Sequence, residues 1–134
     1  MKLDTDEILK KIKKVKDFSR VNFIFLYGSM ANGKDNKMSD IDLCVHYDGN
    51  KQERFKFRLR ILSQLPDSFD VQIFQDIPLY VKKEILKGKL IYAKDTRFVY
   101  DVAYQAIKEF EDFKKHYYDY INMRKIEAWK KARV

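Results

Sequence analysis

Residues that break or lock a backbone are scarce in this 134-residue chain: four glycines, two prolines and a single cysteine. One cysteine, Cys44, excludes an internal disulfide, and a chain of this length can bury a core without one. Cys44 stands inside an apolar stretch, so it is expected to pack. No run of about 18 apolar residues occurs, which excludes an apolar membrane-spanning helix. The opening Met-Lys-Leu-Asp-Thr-Asp-Glu has no apolar signal-peptide core, so a cytoplasmic protein is the expectation. Acidic charge is the minority: 20 Asp and Glu face 28 Lys and Arg, a net charge of +8. Such a surface suits an anionic partner. For Lys10, Lys11, Lys13, Lys14 and Lys16 a simpler account exists. They fill the polar side of a helix whose apolar side is Ile8, Ile12, Val15 and Phe18. A nucleic-acid binder would rest on net charge alone, so direct nucleic-acid binding is not expected.

What the chain does have is a spacing. Gly28-Ser29 is followed by ten residues and then Asp40-Ile41-Asp42, within FLYGSMANGKDNKMSDIDLCVHY. An apolar run over 23–27 stops at the Gly-Ser, and a second apolar run opens with two carboxylates. Side chains alternate along a strand, so Asp40 and Asp42 share one face while Ile41, Leu43 and Val45 share the other. Two close carboxylates repel each other and are hard to keep ionised together without a cation. Magnesium is the usual cation where phosphates are also bound. A phosphate-holding turn beside a carboxylate pair predicts nucleotidyl or phosphoryl transfer.

This segment resembles the signature of the DNA polymerase β-like nucleotidyltransferase superfamily, and the short chain resembles its minimal nucleotidyltransferase branch. The resemblance runs over roughly residues 21–94. It implies a third acid on a later strand, here Asp70 in Phe-Asp-Val-Gln-Ile-Phe, residues 69–74. The stretch PLYVKKEILKGKLIY, residues 78–92, is similar to the family's end: short helix, glycine, small last strand. Many members carry a basic residue where Met30 or Asn32 stands; Lys34 and Lys37 lie nearby.

The remaining pattern supplies the elements. Asp4 with Glu7 marks a first helix over about residues 5–18. Strands are expected at 21–27, 40–47 and 69–74, with a short last one at 90–93. A short helix should begin at 29–32 and close at Gly33. Residues 52–65 read as a helix with Phe55, Leu59 and Leu62 on its apolar side. Pro78 opens a short helix that ends near Gly88. After Gly88 there is neither glycine nor proline. Val99, Val102, Ala106, Phe110, Phe113, Tyr117 and Tyr120 then recur at spacings of three and four, which predicts one long helix over about 96–130. At 1.5 Å per residue it would span ~50 Å, against a globule diameter of ~36 Å. It must break or project, and a projecting stripe with Tyr117, Tyr118, Tyr120 and Trp129 would be an apolar patch fit for a partner. The expected fold class is therefore α/β (α+β). It comprises a small mixed sheet with helices packed on one face over residues 1–94, and the long helix over 95–134.

The resemblance implies a nucleotidyltransferase that moves AMP, or another NMP, from NTP to an acceptor. Gly28 and Ser29 would hold the triphosphate of ATP. Asp40, Asp42 and Asp70 would hold two Mg2+ ions and form the catalytic site. Members of this branch often pair with a HEPN-domain toxin as its antitoxin, and several place AMP on a toxin tyrosine. Two alternatives stand beside this: a binding subunit that masks a HEPN partner without catalysis, and a small-molecule, antibiotic-type nucleotidyltransferase. A second copy of the chain is an alternative occupant of the long helix. His46 follows Asp42 on its strand face, and is read either as a pocket residue or as a solvent-facing histidine without a role. His116 is assigned to a helix surface or an interface, and Tyr27 to the core.

Overall fold

The computed structural model describes residues 4–28 and 41–132, with side chains for 4–28, 41–114 and 116. Asp4 caps the first helix: its carboxylate accepts from the Asp6 and Glu7 backbone N–H groups at 3.1 and 3.3 Å. Helix α1 (Thr5–Lys13) is shorter than the periodicity suggests. Asp17 turns the chain through the left-handed region (φ 68°), and Phe18–Arg20 forms a single 3-10 turn. Ile8, Ile12 and Val15 are buried all the same, with Phe18 packed beside them.

Strands β1 (Val21–Tyr27) and β2 (Ile41–Tyr47), helix α2 (Lys51–Gln64), strand β3 (Phe69–Ile73), helix α3 (Leu79–Ile85), strand β4 (Lys89–Ala93) and helix α4 (Thr96–Ala132) follow. The expected helix at 29–32 lies outside the described residues. The sheet order is β3-β2-β1-β4; β1 runs antiparallel to β2 and β4, and β2 runs parallel to β3. A parallel pair needs a crossover, and α2 provides it.

Helix α2 begins in a capping box, with Asn50 Oδ1 accepting from the Glu53 N–H and Glu53 Oε1 accepting from the Asn50 N–H, both at 2.9 Å. Its buried side differs in part from the expected one, although Leu62 packs against the core as expected. Phe57 and Ile61 are fully buried, while Phe55 and Leu59 are 56% and 47% exposed. Both pairs are four residues apart, so spacing alone cannot choose between them. The sheet chooses: the Phe57 ring stacks on Tyr47 with centroids 4.2 Å apart.

Strand alternation divides the core in two. Val21, Ile24, Leu26, Leu43, Val45, Val71 and Ile73 pack with α1 and α2 on one face. Phe23, Phe25 and Cys44 pack with Phe74, Ile85 and Val99 on the other. The mixed sheet and the long C-terminal helix are as expected, but helices lie on both faces; α3 and the start of α4 take the second. The reason is Phe23 and Phe25, which present two more large apolar rings to that side.

Two further details fix the layout. Gly88 lets the end of α3 close on β1; a Cβ there would overlap the carbonyl oxygen of Leu26. Beyond the end of β3 the Gln75 side chain acts as a peptide group. Tyr47 N–H donates to Gln75 Oε1 at 3.2 Å, and Gln75 Nε2 donates back to the Tyr47 carbonyl. The main chain can therefore leave the sheet in the 3-10 turn Phe74–Asp76 and put Phe74 over the second face.

Helix α4 is continuous over 37 residues, about 56 Å long. Val99, Ala106 and Phe110 are buried, and the Lys83 ammonium lies 4.1 Å from the centroid of the Phe110 ring. One turn later Phe113 is 59% exposed. Tyr100, Tyr104 and Ile107 are exposed along another side of the helix. The side chains of Tyr117, Tyr118, Tyr120 and Trp129 lie outside the described residues.

Candidate active site

Parallel pairing of β2 and β3 puts two of the expected acids side by side. Asp42 and Asp70, each second in its strand, are direct partners in the register. Neighbouring strands lie about 4.8 Å apart. Across its other edge Asp42 partners Tyr27, the last residue of β1. Gly28 follows with φ 90°, a conformation that suits glycine, and a Cβ there would stand 2.5 Å from Asp42 Oδ2. The Asp42 carboxylate thus rests against bare backbone where β1 ends. Asp40 and Ser29 lie outside the described residues.

The surroundings of the pair are polar on one flank and apolar on the other. Tyr27 packs against the second core, and its phenol is pushed well up, first by burial, then by Cys44, Asp42 and Asp70. It is a neutral wall, in keeping with its assignment to the core. Asp70 is held by two residues. Gln72 Nε2 donates to its Oδ2 at 3.1 Å, and Arg58 Nη2 lies 3.6 Å from its Oδ1. Arg58 Nε also donates to the Val71 carbonyl. Gln72 is legible from alternation, two residues beyond Asp70 on the same face. Arg58 is not, because its approach depends on how α2 lies against β3.

His46 shares the face of Asp42, four residues along the strand, or about 13 Å. It is no solvent-facing residue. Its ring sits among Phe23, Phe74 and Phe98, with centroids 4.9, 5.9 and 5.1 Å away. Asn22 Nδ2 is 3.0 Å from its Nδ1. Burial lowers its pKa to about 4; Asp48 opposes this, while Lys82 and Arg54 add to it. The imidazole is therefore neutral, and it lines a cleft of about 350 Å³ between α3 and α4, with Phe74, Lys82 and Gln105. Cys44 is fully buried and burial raises its thiol, so it packs and does not react. His116 is exposed on α4.

Carboxylate oxygens are hard ligands of the kind magnesium takes, and Gly28 leaves the space a side chain would fill. Asp42 and Asp70 fit such an ion. Comparison with known proteins bears on the same region. The family described as polymerase beta, nucleotidyltransferase matches residues 9–97. The chain belongs to that family. Membership makes it a nucleotidyltransferase, an enzyme acting on a nucleotide. A relative from Methanocaldococcus jannaschii, named as a protein adenylyltransferase, is 37% identical over 98 residues, covering 72% of this chain and 75% of its own. A second from the same organism, named likewise, is 36% identical over 80 residues, covering 59% and 76%. Two solved structures share the fold. One is a toxin-antitoxin with AMP-PNP, with TM-score 0.72 and 17% identity, covering 90% of this chain and 97% of the other. The other is a tri-AMPylated Shewanella oneidensis HEPN toxin in complex with MNT antitoxin, with TM-score 0.66 and 16% identity, covering 88% and 92%. No helix among the described residues is long and apolar enough to cross a membrane.

Proposed function

We propose that this nucleotidyltransferase moves AMP from ATP to a tyrosine of a HEPN-domain toxin and so serves as its antitoxin. The observation that carries the reading is the Asp42–Asp70 pair against the Gly28 turn. The relatives' names and the neighbours' partners support the acceptor class. Asp40, Asp42 and Asp70 would hold two Mg2+ ions, which supply charge neutralisation at the phosphates and a lowered pKa at the incoming hydroxyl. Gly28 and Ser29 would receive the β and γ phosphates on backbone N–H groups and a hydroxyl. The tyrosine oxygen forms a bond to the α-phosphorus, the bond from that phosphorus to the β-bridging oxygen breaks, and pyrophosphate leaves with the electron pair. Asp70 would accept the proton that the tyrosine loses. The partner would dock along the end of α4, where the sequence carries Tyr117, Tyr118, Tyr120 and Trp129 as aromatic anchors.

Asp42→Asn tests the site. It removes one of two adjacent like charges, so the fold should be kept. Transfer of labelled AMP to a co-expressed HEPN partner should fall more than about 100-fold, since even residues that only support metal ligands cost 10–100-fold. ATP binding followed by calorimetry should need Mg2+ or Mn2+ and vanish with chelator. Retained transfer with normal circular dichroism, or tight binding of ATP without metal, overturns the reading.

A further inference from the structure

Arg58 reaches Asp70 from a different element, and its geometry is specific. Helix α2 lies beside β3, the edge strand of the sheet. From there the Arg58 side chain spends Nε on the Val71 carbonyl. That anchor fixes the plane of the guanidinium and leaves Nη2 facing Asp70 Oδ1 at 3.6 Å. Gln72 Nε2 takes the other oxygen, Oδ2, at 3.1 Å. One carboxylate oxygen of Asp70 thus accepts a hydrogen bond and the other faces an ion-pair partner, both from this chain. As a contribution to stability the arrangement is small: the Asp70 side chain is 41% exposed, that of Arg58 28%, and exposed ion pairs add little. As a constraint on direction it is substantial, because a carboxylate otherwise turns freely about its last torsion.

We propose that Arg58, seconded by Gln72, is a positioning residue that fixes the direction of the Asp70 carboxylate beside Asp42. The inference rests on the reading of Asp70 as a metal-holding acid. Orientation and charge act in opposite directions here. A cation near a divalent site repels the ion, so deleting Arg58 would strengthen metal binding through charge while weakening it through lost orientation. Arg58→Lys separates the two. Lysine keeps the charge but, as a compact ammonium, cannot hold the Val71 carbonyl and face Asp70 with a planar fork.

The test uses the full chain with a non-hydrolysable ATP analogue and Mn2+, with binding read from the free-ion electron paramagnetic resonance signal. Arg58→Lys and Gln72→Leu are compared with wild type, each with its thermal midpoint. Arg58→Lys should weaken Mn2+ binding about tenfold and lower kcat by a similar factor, with KM for ATP within about twofold. Gln72→Leu should act in the same direction and keep the fold even if Arg58→Lys does not. In an Asp70→Asn background Arg58→Lys should have no further effect on Mn2+ binding. Unchanged Mn2+ binding and kcat in both folded variants overturns the positioning role, as does an undiminished Arg58→Lys effect in Asp70→Asn. If Asp70→Asn alone leaves Mn2+ binding and transfer intact, the site reading itself fails, a separate result.

Discussion

His46 puts a titration inside an aromatic cluster, and the sign of its effect follows from burial. Burial holds the folded imidazole at about 4, below the ordinary value near 6.5. Between those values the unfolded chain binds the extra proton, so stability rises with pH. His46 therefore contributes fully above pH 6.5, and that contribution is lost as pH falls toward 4. The ring is partly exposed, so the loss is on the order of 1–2 kcal/mol and not the full conversion of the shift. Thermal midpoints of wild type and His46→Gln, measured from pH 7 to pH 4.5, check this: the wild-type curve should fall more steeply. Parallel curves would place the titration elsewhere.

Helix α2 shows what spacing can and cannot decide. Phe57 is fully buried on Tyr47, whereas Phe55 is mostly exposed. Phe57→Ala should cost about 3–5 kcal/mol, and Phe55→Ala within about 0.5 kcal/mol of nothing, as read by urea unfolding. Equal losses would restore the expected face. Strands β2 and β3 were legible because alternation is regular on them, whereas β1 slips register between Val21 and Phe23. The sidedness of Leu43 and Val45 against Asp42 followed directly, and the place of Asp70 beside Asp42 needed only that β2 and β3 be neighbours. On α2 two apolar pairs share one period, so the buried pair is decided by tertiary contact with the sheet. Arg58 was illegible for that same reason. The cover on the second face was missed because Phe23 and Phe25 alternate with Ile24 and Leu26, and both sets are apolar. The continuity of α4 was legible from the lack of glycine and proline beyond Gly88.

At the scale of the molecule, α4 is longer than the body it packs on. Among the described side chains, its core contacts are Val99, Val102, Ala106 and Phe110. Truncation after Lys115 should leave a folded, nucleotide-binding chain that no longer associates with its partner or with itself. Light scattering and pull-down decide this; unfolding would make the remainder core, and unchanged association would put the contact elsewhere. The Gln75 clasp on Tyr47 has a consequence of its own. It lies at the opposite end of β2 from Asp42. One end of the strand is tied off by a borrowed amide, and the other carries the acid proposed to hold the metal. Such a chain can drift in sequence at its knot, growing sturdier or frailer there, without retuning the reaction at its far tip.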